Sequence, residues 1–244
     1  MSLSFQKVAN GALDIFYPRN CLITGGAVEG TPYRYLSEVG LQDLTRIVAP
    51  WCQGCGMPFF GLGAGEHLTC ENCRALRPAF HQGRSIVVAK GAGRAIVHEL
   101  KYHCGFHMLP DIAQLTLEAP GMERYLSGVK LVPVPLHARK LRERGFNQSL
   151  KIAEALAESL PGTTVEDCLE RTRDTGTQTH LDRDKRRSNV KNAFALRQGF
   201  RLDMAQTYII VDDVCTTGAT LDACAEALVA QGAQSVNVLT FAHG

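Results

Sequence analysis

The chain has 244 residues, 45% hydrophobic and 20% charged, with 26 basic and 24 acidic side chains that nearly cancel. That balance excludes an intrinsically disordered chain and gives no global argument for nucleic acid or acidic lipid. No apolar run reaches the roughly 18–20 residues of a membrane span, so no membrane insertion is expected.

The N-terminal stretch lacks the apolar core and cleavage site of an export signal, which makes a cytoplasmic location the expectation. In such a reducing compartment, nine cysteines argue for metal or thiol chemistry rather than disulfides.

Residues 1–81 are rich in Gly, Pro and Cys, with a weak helix expected over Glu38–Val48. Cys52-x₂-Cys55 and Cys70-x₂-Cys73 stand 14 residues apart, the double-knuckle spacing of a zinc ribbon. Each pair makes a tight turn presenting two thiolates, eased by Gly54, Gly56 and Asn72. Four protein ligands leave no open position, so a structural Zn²⁺ is expected rather than a catalytic one; a redox-active dithiol is the competing reading. His103 and His107 are four apart, but Gly105 between them and Pro110 beyond argue against a helical metal pair.

Residues 82–244 alternate strand-like and helix-like segments, the mark of βαβ units around a mostly parallel sheet. Strands are expected at Ser85–Ala89, Lys130–Val134, Tyr208–Val211 and Ser235–Phe241. Helices are expected at Ala92–Tyr102, Asp111–Leu117, Asn147–Leu160 and Leu221–Ala230. In the third, Asn147 supplies a cap and Leu150, Ala153, Leu156 and Leu160 recur at helical spacing. The expected organisation is therefore a small zinc-ribbon region, 1–81, followed by an α/β domain, 82–244. Ligands of such sheets bind at the carboxyl ends of the strands.

One strand end is unusual. Ile209-Ile210-Val211 runs into Asp212-Asp213, then Val214-Cys215-Thr216-Thr217-Gly218-Ala219-Thr220, then a helix. The hydroxyl-rich turn can offer backbone N–H groups, hydroxyls and the helix dipole to a phosphate. The two acids suit a sugar's hydroxyls or Mg²⁺. An ordinary capped turn accounts for any one of these residues but not for their combination. The segment therefore suggests a sugar phosphate.

This segment resembles the phosphoribosyl pyrophosphate (PRPP) signature of type I phosphoribosyltransferases. The further strings Val132-Pro133-Val134-Pro135-Leu136-His137, Leu141 to Gln148 (LRERGFNQ), Arg171 to Thr179 (RTRDTGTQT) and Arg187-Ser188-Asn189-Val190 narrow the resemblance to the ComF/GntX-like family. That family is associated with competence and DNA utilisation. The resemblance runs from about residue 83 to the C-terminus, with a looser match upstream.

The resemblance implies a type I phosphoribosyltransferase-like fold that binds Mg-PRPP and passes the 5-phosphoribosyl group to an acceptor it does not identify, releasing pyrophosphate. Pro135, Leu136, His137, Ala138, Arg139 and Lys140 would form the pyrophosphate loop. Thr216, Thr217, Gly218, Ala219 and Thr220 would bind the 5′-phosphate, and Asp212 and Asp213 the ribose diol. Arg173 to Arg187, including Arg183, would be a mobile loop that closes over the site. Positioning and electrostatics would dominate the chemistry, with Arg139 and Lys140 beside the acid pair as catalytic candidates. Relatives carry a further cysteine pair near Cys21; here Thr24 breaks it, leaving Cys21 as a buried thiol. The alternative is a non-catalytic protein that senses PRPP or nucleotides, or holds single-stranded DNA among DNA-uptake proteins. Phe59-Phe60, and Phe146 beside Arg144, are its stacking candidates.

Overall fold

A computed structural model describes residues 19–61, 68–173, 190 and 192–244. Its centre is a five-stranded sheet of β1 (Gly83–Val88), β2 (Lys130–Pro133), β3 (Thr164–Val165), β6 (Thr207–Cys215) and β7 (Ser235–His243). The strands run parallel in the order β1-β7-β6-β2-β3. Tyr208, Ile209, Ile210 and Val211 of β6 are all buried. A strand covered on both faces needs apolar side chains at every position, which is why this run does not alternate.

Strand β6 outlasts the apolar run that predicts it. Its pairing with β7 continues from Asp212↔Thr240 to Cys215↔His243, so backbone hydrogen bonds carry two acidic residues into the sheet. On its other side β2 pairs only as far as Pro133↔Val211, followed by one bond from Val134 N–H to the Val211 carbonyl. The acid pair is therefore laddered on one side and open on the other.

Helices cover both faces. On one lie α3 (Gly91–Tyr102), α4 (Leu109–Glu118), α5 (Met122–Leu126) and α7 (Gln148–Ser159). Ile96, Leu100, Ile112 and Leu156 pack there with Leu131, Ile209 and Leu239. In α7, Ala153 and Leu156 are buried as their spacing predicts, as is Leu160 just past its end, while Leu150 is only half-buried. Gln148 and Ser149 are buried as well, turning a polar first helical turn inward.

On the other face, α8 (Ala219–Val229) packs with the antiparallel β4 (Leu169–Arg171) and β5 (Phe194–Leu196). The four ribbon cysteines share that apolar cluster, with Val132, Val134 and Cys215. In the N-terminal region α1 is only Glu38–Gln42, shorter than the Glu38–Val48 expected. The following residues flank β1 instead: Ile47 N–H donates to the Ile86 carbonyl at 2.8 Å and Val88 N–H to the Thr45 carbonyl at 2.9 Å. Covering an exposed sheet edge outweighs the helical pattern.

The first knuckle is fastened to the sheet. Gly56, at φ +77°, lies so close to β1 that a Cβ would stand 2.5 Å from the Ser85 nitrogen. Gly83 N–H donates to the Gln53 carbonyl at 3.0 Å, and Ser85 Oγ to the Cys55 carbonyl at 3.2 Å. Helix α2 (Glu71–Leu76) begins at the second knuckle, with Cys70 as its N-cap.

Candidate ligand site at the carboxyl edge of the sheet

The topology picks out one crevice. From β6 the chain crosses through α8 to β7, on one side; from β2 it crosses through α7 to β3, on the other. The two crossovers diverge between β2 and β6. Such switch points open a crevice at the carboxyl ends of the strands, where ligands of parallel sheets bind. The segments that end β2 and β6 here are Val134–Lys140 and Asp212–Thr220.

Both acids are held by the helix layer. Asp213 is 3% exposed, and its Oδ2 lies 2.7 Å from Nζ of Lys101, in the last turn of α3. Asp212 Oδ1 accepts from Ser149 Oγ at 2.8 Å and from the Asp213 N–H at 2.9 Å. Burial, and next the neighbouring Asp213, push the Asp212 carboxyl above the ordinary carboxylate range; the Ser149 hydrogen bond and Lys101 oppose this without cancelling it. Asn147 places Ser149. Its Oδ1 accepts from Ser149 N–H and its Nδ2 donates to the Val134 carbonyl, each at 3.0 Å, so one side chain ties the start of α7 to the end of β2.

After Cys215 the chain turns through Thr216, Thr217 and Gly218 into α8. Gly218 adopts φ +73° as the N-cap, a left-handed conformation that favours glycine, with no side-chain cap bond. Thr217 Oγ1 accepts from Ala219 N–H at 3.4 Å. The turn is supported from below by the cysteine segment: Asn72 Nδ2 donates to the Thr217 carbonyl at 2.7 Å, and Ala79 N–H to Asp222 Oδ1 at 2.8 Å.

The pyrophosphate-loop candidates divide. Pro135 is buried, Leu136 and His137 are half-buried, and the loop ends at His137, the N-cap of α6 (Ala138–Arg144). Ala138, Arg139 and Lys140 form the first turn of that helix, in which Arg139 and Arg142 are exposed and Lys140 and Arg144 half-buried, Arg144 donating to Gln148 Oε1. Arg139 Nε lies 3.7 Å from Glu143 Oε1. Arg173 is the last described residue before 174; Arg183 and Arg187 lie outside the described residues.

The four ribbon cysteines are buried, and their Sγ atoms lie within 4.8 Å of one another. Cys55 and Cys70 sulfurs are 3.7 Å apart, close to the roughly 3.8 Å edge of a tetrahedron with metal–sulfur bonds of about 2.3 Å. Cys70 N–H points to Cys52 Sγ at 3.2 Å and Cys73 N–H to Cys70 Sγ at 3.3 Å. The donor set and its compactness fit a closed metal centre able to hold a structural zinc ion.

The other cysteines and the histidine pair fall elsewhere. Cys21 is buried; its burial would raise the thiol pKa, but hydrogen bonding with Ser37 and Thr24 outweighs that and brings it down to about 7. Cys224 is core of α8. His103 Nδ1 pairs with Glu99 at 2.8 Å and His107 packs edge-on against Tyr35, so the two rings serve different neighbours. A cavity of about 900 Å³ lies between α4 and α7, lined among others by Leu109, Ala113, Leu117 and Lys151. Neither the acid pair nor the turn lines it.

The DNA utilization protein YhgH of Salmonella typhimurium is 34% identical over 194 residues, covering 77% of this chain and 81% of its own. The chain belongs to the YhgH/ComF family. The YhgH protein of Escherichia coli K12 is 32% identical over 200 residues, 80% of this chain and 84% of that one. Competence protein F of Haemophilus influenzae is 27% identical over 195 residues, 78% and 82%. Among solved structures, a hypoxanthine phosphoribosyltransferase from Staphylococcus aureus aligns with 55% of this chain and 62% of its own, at 14% identity and a TM-score of 0.32. No family model matches the chain.

In this ComF-type chain the contiguous acid pair and threonine turn stand beside the end of β2, which pairs as far as Val211. Lys101 and Ser149 carry no signal in the sequence, and Asn72 is expected there only to ease the cysteine turn, whereas it lies in α2. Each stands in a segment with an adequate local explanation, and only the packing of α3, α7 and α2 around β6 carries them to the site. No helix among the described residues is long and apolar enough to cross a membrane.

Proposed function

We propose that this protein binds PRPP at the switch-point crevice and transfers its phosphoribosyl group, releasing pyrophosphate. The observation that carries the reading is an acid pair at the open side of β6, Asp213 buried and Asp212 half-buried, followed two residues later by a glycine-capped threonine turn at the N-terminus of α8. The turn Thr216–Thr220 would take the 5′-phosphate on backbone N–H groups. Asp212 and Asp213 would accept from the ribose hydroxyls, held for that task by Ser149 and Lys101. Arg139 and Lys140 would meet the pyrophosphate. The carboxylates also offer the hard oxygen donors that suit Mg²⁺, which would supply charge neutralisation of the pyrophosphate.

In the transfer, the bond from ribose C1 to the pyrophosphate oxygen breaks with its electron pair leaving on pyrophosphate. An acceptor lone pair forms the new bond at C1. The side chains named here position and stabilise charge rather than exchange protons. The four thiolates of Cys52, Cys55, Cys70 and Cys73 would hold a structural Zn²⁺.

The test is calorimetric titration of Mg-PRPP into the wild type and an Asp212→Asn/Asp213→Asn variant. Saturable binding to the wild type alone supports the reading. No binding by folded, metal-loaded wild type removes it.

One observation favours a second reading, a single-stranded nucleic acid. Tyr102 and Phe106 are exposed, Phe106 packs edge-on against Phe146 at 4.7 Å, and the Arg144 guanidinium lies 5.9 Å from the Tyr102 ring centre. Rings beside basic side chains are the usual platform for stacked bases, and the relatives' names refer to DNA utilization and competence. Salt-sensitive binding of a labelled oligonucleotide, lost in Arg142→Ser/Arg144→Ser, would favour this reading.

A further inference from the structure

The cysteine cluster and the threonine turn are joined by one short stretch of chain. Asn72 stands between Cys70 and Cys73, and its Nδ2 donates to the Thr217 carbonyl at 2.7 Å. One turn along α2, Leu76 Cδ2 lies 3.7 Å from where a Gly218 Cβ would stand. Three residues beyond Leu76, Ala79 N–H donates to Asp222 Oδ1, in the first turn of α8. Cys215, which enters the turn, is buried in the same apolar cluster as the four sulfurs. Three consecutive contacts thus run from the second knuckle to the turn and the start of α8.

From these contacts we infer that Asn72 is a positioning residue for the anion-binding turn and that a metal held by the four cysteines orders the turn through it. The physical argument concerns what Asn72 holds. The Thr217 carbonyl belongs to the peptide unit whose N–H is that of Gly218. Fixing the carbonyl fixes that plane, and so the direction in which the Gly218 N–H points at the helix N-terminus. Gly218 is left-handed and glycine is permissive, so this peptide keeps its orientation through its partners, Asn72 on the Thr217 carbonyl and Cys215 facing the Gly218 N–H. Asn72 can serve only while its own backbone is held, and it lies between two metal ligands. An empty cluster leaves a six-residue helix with a loosened first turn, which is too short to persist alone. Metal binding and anion binding then favour each other, because a coupling free energy between two sites acts in both directions. The ligand half of this inference rests on the function proposed above.

The experiment uses the full chain, loaded with Zn²⁺, as wild type, Asn72→Ala and Asn72→Asp; the Asp variant keeps the size and removes the donor. Hydrogen–deuterium exchange is followed on peptides covering Cys215–Ala223, with β7 as the internal control, and Mg-PRPP is titrated into the same preparations. Expected are faster exchange at Cys215–Ala223 in both variants with metal content and β7 protection unchanged, the same loss in metal-stripped wild type, and PRPP binding weaker by about three- to tenfold, the size of one neutral hydrogen bond. Wild-type protection of that peptide in both variants overturns the inference, as does PRPP affinity equal to the wild type. If the wild type fails to bind PRPP while the variants still lose protection, the proposed function falls and the ordering of the turn through Asn72 stands.

Discussion

Lys101 Nζ lies 2.7 Å from Asp213 Oδ2, joining the last turn of α3 to a carboxylate inside the central sheet. The two side chains are 23% and 5% exposed, so water screens the pair poorly and removing one partner strands the other charge. Lys101→Ala should cost about 2–3 kcal/mol in chemical denaturation, with Asp213→Ala of similar size. The double variant should lose less than the two added together, because neither charge is then left alone. Strict additivity would show that the pair contributes no coupling.

The raised Asp212 carboxyl sets a sign for pH dependence. Its folded value, pushed by burial and Asp213 to about 7, stands above the unfolded value of about 3.9. Below the unfolded value both states are protonated and this contribution is fully present. As pH rises from there through the folded value, the unfolded chain ionises first and stability is lost. Asp212→Asn should therefore be more stable than the wild type at pH about 8, by ~1–2 kcal/mol after allowing for the weakened Ser149 bond, and melt higher. The gap should close toward pH about 4. A melting-temperature difference that is constant across this range would contradict the assignment.

Metal content tests the cysteine centre apart from any ligand. Purified protein should carry about one zinc per chain by plasma mass spectrometry. Cys70→Ser and Cys73→Ser should lose it, with a fall of several kcal/mol in stability because metal binding is coupled to folding. Cys104→Ser is the control: Cys104 is exposed, and its substitution should leave both metal and melting temperature unchanged.

Asn147 separates a cap from a tether. Asn147→Ala removes both the cap on Ser149 N–H and the donation to the Val134 carbonyl, and should cost about 1–2 kcal/mol. Asn147→Asp keeps the cap oxygen and loses only the tether, so it should cost less. Equal losses in the two variants would mean that the cap contributes nothing measurable.

Much of this architecture is legible along the chain because its causes are local. The 3.6-residue spacing of Ile96 and Leu100, the continuous apolar run of β6 and the Asn147 cap each announce an element without reference to any other. The two Cys-x₂-Cys pairs announce the four-cysteine cluster, because thiols grouped in two pairs need only one approach to close. The acid pair and the threonine turn are contiguous, so they too could be read directly.

What the tertiary structure decided is everything that depends on a neighbour. The predicted strand end at Val211 moved to Cys215 because β7 pairs that far and β2 does not. The helix expected over Glu38–Val48 stopped at Gln42 because the edge of β1 needed covering. Lys101 and Ser149 became partners of the acids, and Asn72 a support of the threonine turn, across separations of 112, 63 and 145 residues. No periodicity records such pairs: a salt bridge or hydrogen bond between distant segments costs the sequence one ordinary residue at each end, and its meaning appears only when the sheet and its two layers bring those ends together.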